Sequence, residues 1–527
     1  MRKIYINVLL YALIIFSLYS AVLIGMSWDE GGTVTIAKSR LKFLFSFGLS
    51  DYVPLPFSHY FPGTYPVVAM FITQLFNKSY EIEILHIINS CVGISTIFGI
   101  SKISRELFNK NVGYIVFLIS FFNPVFFGHM AMNERDLVIA FCNVWTTYAL
   151  IKYFKYHHIK EKKTKFLIVL GMLLGLGSSC RVAFFVTLLP IFIFLIIDSF
   201  FQRKICKKKI LIKTFIKDIF IASLIAYFVL IVFWPEVYPN ILVLPFSFFY
   251  ETLHIPIGVP NGLINGIFYS TSNPPKDYIL VLLFYKLPEY FILSYILLLI
   301  ILIKNSSFFI KKFNNFYYKI TLIFLIIIFP NFLLFISPYP VYDNLRLFLF
   351  LIPYLSIVPG IVIFYLMENL RFKLNKALSA VMSILFIYCV FNFFSLTPYQ
   401  YTYLNFFNGK FSESYKKFEA DYWVTSTKEL LKKTNFKKEG QIKLALCGMS
   451  KGVAKYYLKK FNLRNVKIVS NSDYYDYIMM TNRVYMNFNN NSDTEKLKIC
   501  YDQFPGKTIS SVKRKGLTIS LIRSNII

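Results

Sequence analysis

Long apolar runs dominate the first three quarters of the chain. A helix that crosses a bilayer core needs about 20 apolar residues, and tilting accommodates some variation in that length. The pattern predicts about eleven membrane-spanning helices, over Ile4–Met26, Ile84–Gly99, Val112–Phe127, Leu137–Phe154, Phe166–Ser179, Val182–Ile197, Ile219–Trp234, Tyr278–Ile303, Ile320–Ser337, Leu347–Leu366 and Leu378–Leu396. The shorter run Pro62–Phe76 predicts an interfacial or re-entrant helix. We interpret Ile4–Met26 as a retained helix, because no small-residue cleavage site follows it.

The apolar period changes after Leu396. Residues 397–420 are rich in Tyr and Phe and predict an interfacial connector. Beyond them, apolar spacing predicts helices over Val424–Thr434 and Gly452–Phe461, and strands over Ile442–Leu446, Val466–Val469, Tyr477–Met480, Thr508–Val512 and Leu517–Ile522. The predicted organisation is an α-helical polytopic membrane domain (1–396), the connector (397–420) and a small α/β domain (421–527).

Composition and charge support a membrane protein and give it an orientation. Only 16% of the residues are charged and the mean hydropathy is +0.55, whereas soluble proteins average about 25% charged residues. With the N terminus inside, the cytoplasmic loops carry 25 of the 57 basic residues and the external loops carry 8. This bias predicts a cytoplasmic N terminus and an external C-terminal domain in the cell membrane.

The net charge of +30 is explained by that loop bias and by contact with anionic headgroups, so we expect no nucleic-acid partner. Seven cysteines are present, of which only Cys447 and Cys500 fall in the external tail. The sequence leaves open whether these two form a disulfide. No cysteine or histidine spacing indicates a metal site.

Charged residues at external helix ends are the candidate functional groups, because ionisable side chains at a membrane boundary are costly. Acidic or mixed clusters comprise Asp29 and Glu30 after the first span, His59 in the first loop, and Glu134, Arg135 and Asp136 at the start of the fourth span. Isolated external cations are Arg181, Lys286 and Arg346. The structural alternatives are helix-end anchors, caps and salt bridges.

These groups suit one chemistry. A carboxylate can accept a proton from a hydroxyl acceptor, and arginines can bind a phosphate and stabilise it as a leaving group. An apolar bundle can hold a long isoprenoid chain. The cytoplasmic side shows no nucleotide-binding motif, which a sugar-nucleotide enzyme would need. A lipid-linked sugar donor would remove that need.

The clusters also carry a family resemblance. The chain resembles, over roughly residues 1–425, the GT-C superfamily of polyprenyl-phosphate-sugar glycosyltransferases, and within it the protein O-mannosyltransferase-like and aminoarabinose-transferase-like branch. The similar segments are Asp29-Glu30, His59 with Pro62-Gly63-Thr64, Asn133-Glu134-Arg135-Asp136, Tyr342-Asp343-Asn344-Leu345-Arg346 with Pro353, Pro398–Asn405 and Asp421-Tyr422-Trp423. The His59 segment lacks the family's paired prolines, and Glu134-Arg135 replaces Pro-Lys.

The resemblance implies an inverting sugar transfer on the external face. Asp29 would be the general base, with Glu30 and Asp136 as further catalytic carboxylates. His59, Glu134, Arg135, Arg181, Lys286 and Arg346 would bind substrate or its phosphate. The acceptor would be a glycan, a lipid or a protein, and some members of the superfamily use a divalent metal whereas others do not. Two alternatives remain: a transporter or flippase of lipid-linked glycans, and a non-catalytic membrane scaffold.

Overall fold

Helices make up most of the molecule. The computed structural model describes residues 2–50, 52, 54, 56–205, 210–252, 254, 259–437, 440–485 and 497–525. Residues before 397 form α1 (Arg2–Leu23), α2 (Glu30–Phe45), α3 (Thr64–Thr73), α4 (Glu81–Leu107), α5 (Lys110–Phe121), α6 (Pro124–Met130), α7 (Glu134–Tyr156), α8 (Lys160–Cys180), α9 (Phe184–Ile197), α10 (Ile212–Ile231), α11 (Leu244–Thr252), the β1 (Asn261–Ile264) and β2 (Ile267–Ser270) hairpin, α12 (Tyr278–Lys286), α13 (Glu289–Lys312), α14 (Phe316–Ile336), α15 (Leu351–Leu355), α16 (Ile357–Glu368) and α17 (Lys373–Ser395).

The predicted spans correspond to these helices. Within the described residues, nine helices are long and apolar enough to cross a membrane, and the bent pair α5–α6 makes a tenth. The eleventh predicted span corresponds to α1, whose apolar stretch Asn7–Leu23 is shorter. The protein is therefore a multi-pass membrane protein, and the predicted fold class is confirmed.

Prolines break two of the predicted spans. The run Val112–Phe127 bends by 67° between α5 and α6, where Asn123 caps the new helix by accepting from Phe126 N. The run Tyr278–Ile303 divides into α12 and α13 at Pro288, because proline has no backbone N–H to continue the ladder. Hydrophobic runs alone did not predict these breaks, nor α2, α11 and the β1–β2 hairpin.

The tail folds as predicted into a small α/β domain. It contains α18 (Thr427–Lys433), β3 (Ile442–Cys447), α19 (Lys451–Lys460), β4 (Val466–Ile468), β5 (Tyr477–Thr481), α20 (Cys500–Gln503), β6 (Lys507–Arg514) and β7 (Leu517–Ser524). Its sheet has the strand order β4-β3-β5-β7-β6. Strands β4, β3 and β5 run parallel, whereas β7 pairs antiparallel with both neighbours. Cys447 and Cys500 form a disulfide.

The tail packs closely on one end of the bundle. A Cβ added at Gly25 would lie 2.2 Å from the carbonyl oxygen of Thr425, so only glycine permits this approach. Met26 N donates to Tyr457 Oη at 2.7 Å, and Lys428 Nζ donates to Glu83 Oε1 at 3.1 Å. The helix ends at this contact carry the predicted external loops, so the candidate residues and the tail share one end of the molecule.

Candidate active site

A narrow polar crevice lies where several helices end beneath the tail, with about 10 Å³ of free volume. It is formed by the start of α2, the start of α7, the end of α8, the segment before α15 and the connector to the tail. Its lining residues are Ser27, Asp29, Glu30, Met132, Glu134, Arg135, Asp136, Arg181, Arg346 and Trp423. The structure therefore brings together seven of the nine residues that the sequence analysis selected.

Among the carboxylates of the crevice, Asp29 makes the fewest side-chain contacts with described residues. It occupies the N-cap position of α2 but makes no side-chain cap bond, and it is half-buried. Trp28 N donates to Trp423 O at 3.1 Å, which fixes the backbone beside it. In the part of the chain that the structure describes, no hydrogen bond or ion pair engages the Asp29 carboxylate, so both oxygens are available to a substrate.

Glu30, in contrast, is held by polar contacts within the protein. Its carboxylate accepts from Ser27 N at 2.5 Å and lies 2.9 Å from His86 Nε2, with both side chains buried. His86 Nδ1 is 3.2 Å from the carbonyl oxygen of Ala21, which can only accept, so Nδ1 carries a proton. One further proton is shared between Nε2 and Glu30, and this pair joins α2 to α4.

Asp136 lies between two arginines. Its Oδ1 is 3.2 Å from Arg181 Nη2 and its Oδ2 is 3.1 Å from Arg346 Nε. Neither Arg181 Nε nor Arg346 Nε makes a hydrogen bond within the described residues. Arg346 Nε is close enough to Asp136 Oδ2 for an ion pair, but the two atoms are not aligned for a hydrogen bond. Each guanidinium thus keeps an unused buried donor, and such a donor favours an anionic ligand.

Arg346 belongs to a second buried cluster. Its Nη1 donates to Asp343 Oδ2 at 2.8 Å, and the guanidinium lies 4.5 Å from the ring centre of Trp423. Burial lowers the pKa of Arg346, but Asp136 and Asp343 overcome that effect and raise it above its ordinary value. The side chain is therefore a fixed cation.

Glu134 and Arg135 line the crevice with different roles. Glu134 is buried and its Oε1 has no hydrogen-bond partner among the described residues. Arg135 stacks on Phe61, with its Cζ 4.1 Å from the ring centre, and its Nη2 donates to Thr33 Oγ1 at 3.3 Å. Arg135 therefore joins α7 to α2 and to the first loop.

An apolar groove opens beside the crevice and encloses about 360 Å³. It shares Asp136 and Arg181 with the crevice. Its remaining walls come from α7, α9, α14 and the segment before α15: Ile139, Ala183, Phe184, Val186, Thr187, Phe329, Pro330, Leu333, Tyr339, Pro340, Leu347, Phe348 and Phe350. A chain in this groove would place its polar end against Arg181, at the edge of the crevice that Arg346 also lines.

Two predicted residues do not line the crevice. Lys286 is buried and donates to the carbonyl oxygen of Tyr401 at 3.2 Å, which joins α12 to the connector. His59 stacks on Tyr60 and lies 3.7 Å from Glu251. Both side chains hold neighbouring segments in this structure.

Buried Arg40, on α2, was not selected from the sequence. Its Nη2 donates to Glu236 Oε1 at 2.7 Å and to Ser58 O at 3.0 Å. A Cβ added at Gly63 would lie 2.4 Å from Arg40 Nη1, and Gly63 has a φ of +72°. Through these contacts, Arg40 fixes the conformation of the first external loop. The sequence analysis missed it because the helix that carries it, α2, has no apolar run that would have predicted a helix there.

Metal ligation was left open by the sequence. Within the described ranges, no group of three or more His, Cys, Asp or Glu side chains is placed to hold a metal ion. Among the crevice carboxylates, Asp136 pairs with Arg181 and Arg346, whereas Glu30 pairs with His86.

Comparisons with known proteins agree with this architecture. Residues 62–238, about a third of the chain, match the family of dolichyl-phosphate-mannose-protein mannosyltransferases. No curated protein matches the sequence significantly.

The fold is similar to that of ArnT from Cupriavidus metallidurans. The apo structure aligns with a TM-score of 0.52 and 11% identity, covering 100% of this chain and 99% of that one. The structure bound to undecaprenyl phosphate aligns with a TM-score of 0.50 and 10% identity over the same shares. The oligosaccharyltransferase AglB from Archaeoglobus fulgidus, with an inhibitory peptide and dolichol-phosphate, aligns with a TM-score of 0.48 and 11% identity, covering 89% of this chain and 69% of that one. The family match over residues 62–238 and the ArnT-like fold agree with the resemblance found in the sequence.

Proposed function

We propose that this protein is a membrane glycosyltransferase that transfers a sugar from a polyprenyl-phosphate donor to a hydroxyl acceptor at the external face. The observation that carries the proposal is the meeting of an apolar groove with two arginines that have unused donors, in a crevice that also holds the unpaired carboxylate of Asp29. The GT-C-like fold and the mannosyltransferase family match support it.

The groove and the arginines suit the two parts of such a donor. The isoprenoid chain would lie against Val186, Leu333 and their neighbours, and the phosphate would meet Arg181 and Arg346. A polyprenyl-phosphate sugar is a phosphodiester with one negative charge. The departing polyprenyl phosphate is a monoester with up to two, so the arginines bind the leaving group more tightly than the donor. Such differential binding lowers the barrier to transfer.

Asp29 is the proposed general base. Its carboxylate accepts the acceptor's hydroxyl proton while the oxygen forms a bond to the anomeric carbon and the bond from that carbon to the phosphate oxygen breaks. A single displacement inverts the anomeric configuration. Asp136 would hold Arg181 and Arg346 in place, whereas Glu30 would hold the start of α2 through His86.

The test is sugar transfer by the purified protein in detergent or liposomes, with polyprenyl-phosphate sugars as donors. Removing a general base lowers rates by about 10²–10⁴-fold, so Asp29→Asn should lose turnover while retaining donor affinity. Glu81→Gln is the matched control, since Glu81 is a carboxylate at the start of α4 that pairs with Lys38 instead of lining the crevice. Transfer by Asp29→Asn at the wild-type rate would refute the assignment of the base. Donor movement across liposomes without any transfer would favour the transporter alternative.

A further inference from the structure

Arg483 connects the C-terminal domain to the crevice. It lies two residues after the end of β5, and its side chain is almost entirely buried. Its Nη2 donates to Asp343 Oδ1 at 2.9 Å, its Nη1 donates to the carbonyl oxygen of Tyr422, and its Nε lies 3.8 Å from Glu419. A residue of the soluble domain thus reaches the carboxylate that holds Arg346.

Asp343 bridges the two arginines with its two oxygens. Oδ1 accepts from Arg483, while Oδ2 accepts from Arg346 at 2.8 Å and from Trp423 Nε1 at 3.1 Å. Asp343 and Asn344 both have left-handed backbone conformations, with φ of 57° and 58°. Asp and Asn adopt this conformation more readily than other non-glycine residues, and the bond from Arg483 is one of the contacts that fix the Asp343 side chain.

The position of Arg483 is fixed from its own domain. Asn482, its neighbour, accepts from Ala420 N and donates to two carbonyl oxygens of the connector. Cys500 N donates to Arg483 O at 2.9 Å, and Cys500 is disulfide-bonded to Cys447. A Cβ added at Gly448 would lie 2.9 Å from Arg483 Cβ. The segment is therefore held on both sides.

The contacts form a row of alternating charge: Arg181, Asp136, Arg346, Asp343 and Arg483. Because the row begins and ends with a cation, its five members together carry one net positive charge. Glu419 lies 3.8 Å beyond Arg483, and burial raises the pKa of that carboxyl to about 7. Without Arg483 the row would be neutral, and Asp343 would act on Arg346 alone.

We propose that Arg483 is a positioning residue of the C-terminal domain, which fixes Asp343 and shares its charge, so that Arg346 faces the donor phosphate as an effective cation. The inference rests on the proposed function, in which Arg346 binds that phosphate. Arg483 acts through Asp343 and Arg346, and does not itself line the crevice.

The experiment compares donor affinity in Arg483→Gln with that in Arg514→Gln. Arg514 is the matched control, since it ion-pairs with Glu429 in the same domain but away from the crevice. Polyprenyl phosphate binding and the KM values of donor and acceptor are measured on the full-length protein. We expect Arg483→Gln to weaken donor binding on the order of tenfold, with an unchanged acceptor KM. We expect Arg514→Gln to lower the melting temperature and to retain donor affinity.

A double variant, Asp343→Asn with Arg483→Gln, separates charge from folding. It removes both charges, so that Asp343 is not left as a buried carboxylate short of a cation, and it leaves Arg181, Asp136 and Arg346 with one net positive charge. We expect its donor affinity to return to within about threefold of wild type, and this comparison holds even where Arg483→Gln alone does not fold.

Wild-type donor affinity in Arg483→Gln, or equal losses in Arg483→Gln and Arg514→Gln, would overturn the inference. A double variant as weak as Arg483→Gln would overturn its electrostatic basis. Failure of the proposed function itself gives a different result: wild-type protein that does not bind polyprenyl phosphate at all.

Discussion

Arg181 offers the cleanest probe of the donor site. Its side chain is 28% exposed and makes one ion pair, with Asp136, so Arg181→Gln should cost at most about 1 kcal/mol of stability. Arg346 is less suitable, because removing a buried, paired cation typically costs about 3–5 kcal/mol. Arg181 also lies where the apolar groove meets the crevice, the position proposed for the phosphate.

The expected loss of donor affinity follows from one charge-assisted hydrogen bond. Such a bond contributes about 1.5–3 kcal/mol, which corresponds to roughly 10- to 150-fold in Kd. The assay is equilibrium binding of polyprenyl phosphate to purified protein, repeated with a short-chain isoprenyl phosphate. Because Arg181 meets the phosphate, Arg181→Gln should weaken both ligands by the same factor.

A groove variant provides the contrast. Leu333→Trp adds bulk to the groove wall and should weaken the long-chain ligand more than the short-chain one. Arg371→Gln is the matched arginine control, since Arg371 stacks on Phe372 at the opposite end of the bundle. Unchanged affinity of Arg181→Gln for both chain lengths would refute the phosphate site, and equal effects of Leu333→Trp on both would refute the groove.

Four further predictions concern stability and topology. Glu30→Gln breaks a buried pair with His86 and should lower stability by about 3–5 kcal/mol in denaturant melts, whereas an unchanged midpoint would contradict the packing role. Replacing Cys447 and Cys500 by serine opens a link between residues 53 positions apart and should cost about 4 kcal/mol in the chain-entropy model, measured against the oxidised wild type. Burial raises the pKa of Glu429, but its cationic partners outweigh burial and lower it from 4.5 to about 2. Its stabilisation is complete above pH 4.5 and is lost as pH falls towards 2, so the advantage of wild type over Glu429→Gln, at most about 2 kcal/mol after solvent screening, should vanish over that range. A topology reporter fused to the C terminus should be active only outside the cell, and a cytoplasmic signal would reverse the orientation.

The sequence predicted what depends on local pattern. Apolar runs located the spans and alternation located the strands of the tail, because burial period and secondary structure are directly coupled. Charged residues at helix ends predicted most of the crevice, since a membrane boundary penalises any ionisable group without a use. The same logic selected Lys286, whose use is to hold the connector through Tyr401.

The pattern of apolar and charged positions could not predict ion pairs between residues far apart in the sequence. Arg483 lies in a tail rich in basic residues, and nothing local distinguishes it from a solvated one. Its partner Asp343 is 140 positions away, so only the folded chain shows that they meet. The break at Pro288 was missed for a related reason: hydropathy measures apolarity, whereas helix continuity also depends on backbone donors.

The reach of Arg483 into the bundle has a consequence for biosynthesis. Residues 1–396 can enter the membrane as they are translated, but the contact between Arg483 and Asp343 forms only after residue 483 has been made and, in the predicted topology, has crossed the membrane. At about 5–20 residues per second, translation from Asp343 to Arg483 takes roughly 7–28 seconds. A nascent or truncated chain would therefore be inserted in the membrane before Arg483 can fix the donor-binding arginine. Synthesis of the C-terminal domain as far as Arg483, and oxidation of Cys447 with Cys500, would together delay the proposed sugar transfer until that domain has docked on the bundle.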